Sequence, residues 1–90
     1  MNELQKIKAR RLLATMVILG GTCTLNQAVD YMWAIDLKKG FEFMISKGWR
    51  YYVFFNKYPS RLKDSGNLKE IRKDDNGEKI WEVIDEVVEW

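Results

Sequence analysis

The chain has 90 residues, 47% hydrophobic and 31% charged, with 15 Lys/Arg against 13 Asp/Glu and no histidine. That length allows one small domain, and the apolar content is too high for a disordered segment. Without histidine there is no His-based acid–base or nucleophile chemistry and no His-bearing zinc site; the one cysteine, Cys23, excludes an internal disulfide, and no G-x-x-x-x-G-K-[ST] loop is present. These exclusions point to a non-enzyme with no cofactor and no metal, kept in a reducing cytoplasm. Charge is placed unevenly: residues 1–73 hold 14 Lys/Arg against 6 Asp/Glu, whereas residues 74–90 hold Lys79 alone against seven acids.

At the N-terminus, Lys6, Lys8, Arg10 and Arg11 precede the apolar run Leu12 to Leu19. The run is far shorter than the ~20 residues that span a membrane, so a structural helix is expected and no membrane partner. Leu4, Ile7, Leu12, Met16 and Leu19 recur at helical spacing, with Leu13, Val17 and Ile18 widening the stripe, and Gly20-Gly21 supply a stop. After a short link holding Cys23, Thr24-Leu25-Asn26-Gln27 fits a capping box opening a second helix with Leu25, Ala28, Val29 and Met32 on one face.

Residues 36–47 admit two readings. Asp36 can cap a third helix with Leu37, Phe41, Met44 and Ile45 turned inward; alternatively Gly40 ends the second helix and Phe41 to Ile45 alternate as a strand. Trp49 to Phe55 is aromatic and β-branched, a predicted strand. Asn56 to Asn67, with Pro59, Ser60, Ser65 and Gly66, is a predicted polar loop. Leu68 to Arg72 and Lys79 to Ile84 flank Asp74-Asp75-Asn76-Gly77 as a predicted hairpin, with Asn-Gly supplying positive φ angles. Val83 to Trp90 has helical spacing, and its choice between a short helix and an extended strand stays open.

Leu12-Leu13, Gly20-Gly21, Thr24, Gln27, Ala28, Val29, Met32, Leu37, Phe41, Met44 and Gly48-Trp49 fall in step with the pattern of small phage and bacterial winged helix-turn-helix domains, which residues 10–55 resemble. Trp33 stands where that family has a glycine between its second and third helices. The resemblance implies an α+β fold of three N-terminal helices followed by a β-hairpin wing. It favours the third helix over the strand for residues 36–47. A single domain is expected over 1–90, with a core at 4–56, an extended wing at 57–84 and an acidic segment at 74–90.

In such a fold the third helix enters the major groove and the wing follows the backbone. Lys38, Lys39 and Glu42 would face outward from the reader, with Phe43 beside them. Lys47, Arg50, Lys57, Arg61 and Lys63, together with Lys69, Arg72 and Lys73, would lie along phosphates, which give affinity and salt dependence but no sequence reading. The leading expectation is thus a duplex-DNA-binding regulator or accessory factor, with a homodimer formed through exposed aromatics or the C-terminal apolar residues. The rival is a phage-type modulator that grips a host protein through Phe43, Tyr51, Tyr52 and Trp90. An RNA-binding strand surface follows only if residues 41–55 form a hairpin. For the acidic tail, three roles are open: a partner-binding helix, a cover over the basic surface, or a segment packed into the core. Its carboxylates read as the polar face of a helix, which supplies no convergent metal ligands.

Overall fold

A computed structural model describes residues 3–38 and 55–90. In chain order the elements are α1 (Glu3–Ile18), β1 (Thr22–Thr24), α2 (Leu25–Lys38), α3 (Tyr58–Asp64), β2 (Leu68–Lys73) and β3 (Lys79–Val83). This is a small α+β domain in which a three-stranded antiparallel sheet, ordered β1-β3-β2, packs against the helices.

Two helix-to-strand units flank the central strand β3. The first is α1–β1. Helix α1 closes with Gly20 N–H donating to Val17 O (3.0 Å) and Gly21 N–H to Met16 O (2.9 Å), the paired bonds of a Schellman ending. Gly20 has φ +102° and Gly21 φ +83°, a region that favours glycine. The second unit is α3–β2. Helix α3 closes in the same way, with Gly66 N–H on Lys63 O (3.1 Å) and Asn67 N–H on Leu62 O (2.8 Å), and Gly66 at φ +83°. The carbonyl of Gly21 accepts from Val83 N–H, and that of Asn67 from Ile84 N–H, both at 2.9 Å. Each helix exit therefore runs straight into a strand beside β3.

The capping box forms as the sequence predicts. Thr24 N–H donates to Gln27 Oε1 (2.9 Å) and Gln27 N–H to Thr24 Oγ1 (3.2 Å), and α2 buries the expected Leu25, Ala28, Val29 and Met32. Arg11 binds Asp36 Oδ1 at 2.8 Å and ties α1 to α2. The core gathers Ala9, Leu12, Leu13 and Met16 of α1 with those four, and with Phe55, Leu62, Leu68, Trp81 and Val88.

Several expectations are corrected. Helix α2 runs unbroken through Trp33 and Asp36 to Lys38, so Asp36 is not the cap of a third helix and no turn occurs at Trp33. Asp36 lies inside a helix because its carboxylate is used sideways, on Arg11. The alternative reading, in which Gly40 ends the second helix and Phe41 to Ile45 form a strand, falls on residues 39–54, which lie outside the described part. Phe55 is helical, so the predicted strand does not extend to it. The predicted loop Asn56 to Asn67 contains α3: Pro59 sits in its first turn, where its missing N–H costs nothing, and Leu62 is buried. The link before α2 is a strand, β1, with buried Cys23 opposite Trp81.

The apolar stripe assigned to α1 divides. Leu12, Leu13 and Met16 point inward, whereas Leu4, Ile7, Val17 and Ile18 are exposed.

The hairpin forms as predicted, but its turn differs in detail. Among the described residues no non-glycine has positive φ. Gly77 alone supplies it (φ +81°), with Gly77 N–H on Asp74 O (3.0 Å) and Asp74 N–H on Glu78 O (2.8 Å). This is the type I turn followed by a left-handed glycine that three-residue hairpin loops use. Asp74 Oδ1 accepts from the N–H groups of Asn76 and Glu78, each at 2.9 Å, and fixes the loop.

Residues 84–90 form neither a helix nor a strand. They pack home: Val88 is buried, and Asn67, 2% exposed, donates through Nδ2 to Asp85 O (2.8 Å) and Val87 O (2.7 Å). The carboxylates of this segment are therefore not the polar face of a helix.

Candidate nucleic-acid interface

Cross-strand partners share a face of the sheet. Trp81 lies opposite Cys23 on one side and Glu70 on the other, and Lys79 lies opposite Lys73. Residues two apart on β3 also share a face, so Glu70, Lys73 and Lys79 stand together on the side that carries the buried Trp81 and Cys23. Helix α3 approaches β2 on this side and brings Lys63 to Glu70, with Nζ 3.6 Å from Oε1; Lys79 Nζ reaches the same oxygen at 3.7 Å. One carboxylate thus sits among Lys63, Lys79 and the neighbouring Lys73. Three lysines thus gather about one shared carboxylate where α3 meets the hairpin, with Asp74, Asp75 and Glu78 of the turn adjoining them. Lys79 Nζ also lies over the Trp81 ring, 5.8 Å from its centroid.

The other expected cations occupy varied positions. Lys57 precedes α3 and is exposed; Arg61 and Lys63 are exposed on it. The Arg61 guanidinium lies 4.3 Å from the centroid of Trp90, whose Nε1–H donates to Ser65 Oγ at 3.2 Å. Trp90 in turn meets Tyr58 edge-on at 5.7 Å, and Tyr58 meets Phe55 at 5.4 Å. Burial pushes the Tyr58 hydroxyl pKa up, and the nearby Arg61 charge draws it partly back. Trp90 is consequently a partly buried anchor for the tail, and Val88 is turned inward, so the C-terminal apolar residues do not form the one-sided stripe proposed for a partner.

Lys69 and Arg72, with Lys73, are exposed on β2, an edge strand of the sheet among the described residues. A bulge between Glu70 and Arg72 breaks the edge's regular pairing, and bulges with charges deter edge-to-edge association. Lys38 is exposed as the last residue of α2, where its charge suits the helix's negative end. Lys39, Glu42, Phe43, Lys47, Arg50, Tyr51 and Tyr52 lie outside the described residues.

The hairpin turn that joins Lys73 to Lys79 is acidic, with Asp74, Asp75 and Glu78. Asn26 Nδ2 donates to the Glu78 carboxylate. Partial burial is the main cause that pushes the Glu78 pKa up; Asp74 and Asp30 add to it, and the Asn26 bond opposes it. Glu78 borders an open cleft of about 270 Å³ shared with Leu25, Pro59, Ser60, Lys79 and Trp81, and so stands on the same side as Lys79 and α3. Burial also raises the Cys23 thiol pKa, which makes it a packing group rather than a nucleophile. Among the described residues no group of three or more acids or cysteines converges as metal ligands, and no helix is long and apolar enough to cross a membrane.

The sequence reading missed Glu70, Lys79 and Asn67 as organising residues. Pro59 followed by Ser65-Gly66 was the available signal, since proline near a start and glycine past an end delimit a helix. Comparison with protein-family models, with curated proteins and with solved structures found no match.

Proposed function

We propose that the chain is a small DNA-binding protein that grips the duplex backbone with the surface where α3 meets the hairpin. The observation that carries this reading is the cluster of Lys63, Lys73 and Lys79 around the single Glu70. Lys57 and Arg61 extend the charge on the α3 side, whereas Lys69 and Arg72, opposite Glu82 and Ile80, lie on the other face of the sheet. Flexible ammonium groups on a hairpin and a short helix suit phosphate oxygens, which supply affinity without reading bases.

A winged-helix arrangement is compatible with this surface: β1, from between the first two helices, fastens the hairpin to the helical pair. Binding to a mixed-sequence duplex is expected at low salt and should fall steeply toward physiological salt, since released counterions drive it. A mobility-shift titration at the two salt concentrations checks this. Absence of duplex binding at low salt would reject the reading.

A further inference from the structure

We infer that the outward face of α1 is a self-association seam, on which a second copy of this chain lays its own α1 antiparallel. The inference is independent of the nucleic-acid reading. Leu4, Ile7, Arg11, Ala14 and Ile18 recur at alternating spacings of three and four, which is the a/d period of a coiled-coil seam. All five are exposed, with Leu4, Ile7 and Ile18 at 58%, 52% and 62%. Val17 lies beside them at 40%. The core is served by a different face, that of Ala9, Leu12, Leu13 and Met16. Helix α1 is thus apolar on two sides, and only one is used within the described fold.

Two features favour a copy of the same helix as the occupant. First, the charges on this face are already matched within the chain: Arg11 by Asp36 at 2.8 Å and Arg10 by Glu3 at 3.9 Å. Covering the face therefore leaves no arginine without its acid. Second, the stripe is complementary to itself only in reverse. An antiparallel pair about a two-fold axis sets Ile7 of each copy against Ile18 of the other and the long Arg11 against the small Ala14. A parallel pair would set Arg11 against Arg11. A single polar residue at an a position is a known way to fix register at some cost in affinity. A seam of one helix, roughly 24 Å long, falls below the ~1,200 Å² of a stable interface, so the association is reversible.

Sedimentation equilibrium of the full chain from about 10 μM to about 1 mM, the range a small interface occupies, should show the mass rising from 10.7 kDa toward twice that value. The double variant Ile7→Glu/Ile18→Glu should stay monomeric with an unchanged circular dichroism spectrum and melting temperature, because both side chains are exposed. Mixing Ile7→Cys chains with Ile18→Cys chains should give a cross-disulfide between the two, and Ile7→Cys chains alone should give little. A wild-type monomer throughout the range would overturn the inference. So would a dimer that survives the double variant, an Ile7-to-Ile7 cross-link in preference to the mixed one, or unfolding of the double variant, which would mean that the chain covers this face itself.

Discussion

The two helix-to-strand units beside β3 use one local device for different ends. In α1–β1 the residue after the left-handed glycine is another glycine, Gly21, and only its backbone is used, on Val83. In α3–β2 the corresponding residue is Asn67. Its carbonyl takes Ile84 N–H, its Oδ1 accepts from Ser65 at 2.7 Å, and its Nδ2 holds the carbonyls of Asp85 and Val87. The same helix stop thus ends an element in the first unit and clasps a distant segment in the second. A short helix with little intrinsic stability becomes fixed because the tail packs over it.

Asn67→Ala should break this difference most severely. It removes the donor of the Asp85 and Val87 carbonyls and should cost about 1–3 kcal/mol, since each hydrogen bond contributes ~0.5–1.5 kcal/mol; urea unfolding measures it. Gly20→Ala and Gly66→Ala test the shared part of the device. Each forces a side chain to positive φ and should cost about 1–2 kcal/mol, with similar values for the two. A large loss at one and none at the other would break the equivalence of the two stops.

Trp90→Ala removes the edge contact with Tyr58 and the cover over Arg61, at about 1–2 kcal/mol. It also frees the guanidinium, so duplex affinity should rise where the fold is retained.

Glu78→Gln should have the smallest effect. The folded-state pKa of Glu78 is raised, so its contribution to stability is fully present below its unfolded value, near 4.5, and is lost as pH rises through the folded value. The substitution should therefore raise the melting temperature at neutral pH and make no difference in acid. The gain should stay under about 1 kcal/mol because solvent reaches the site.

The contrast also explains how much of the molecule the sequence disclosed. The capping box of Thr24 and Gln27, the stop at Gly20-Gly21 and the hairpin around Gly77 are local devices, each complete within a few residues, and each was legible. Helix α3 is hidden in the sequence because seven residues give too few turns for periodicity, and its Pro, Ser and Gly resemble loop punctuation. Asp36 suggests the start of a third helix because aspartate is a good cap; nothing local reveals that Arg11, 25 positions away, claims its carboxylate. The basic character of residues 57–73 was visible in composition. The grouping of Lys63, Lys73 and Lys79 around Glu70 required the strand register, including the bulge, and so was not. Likewise the apolar residues of α1 could be counted, but their division between two faces depends on what packs beside the helix.

The nucleic-acid reading is tested most directly by the salt dependence of duplex binding, followed by fluorescence anisotropy, for the wild-type chain and for Lys63→Ala/Lys73→Ala/Lys79→Ala. Each phosphate contact contributes about 0.9 to the slope of log K against log salt. The triple variant should bind more weakly to every sequence and lose roughly 2–3 units of slope. An unchanged slope and affinity in a folded variant would contradict the assignment of this surface to the duplex.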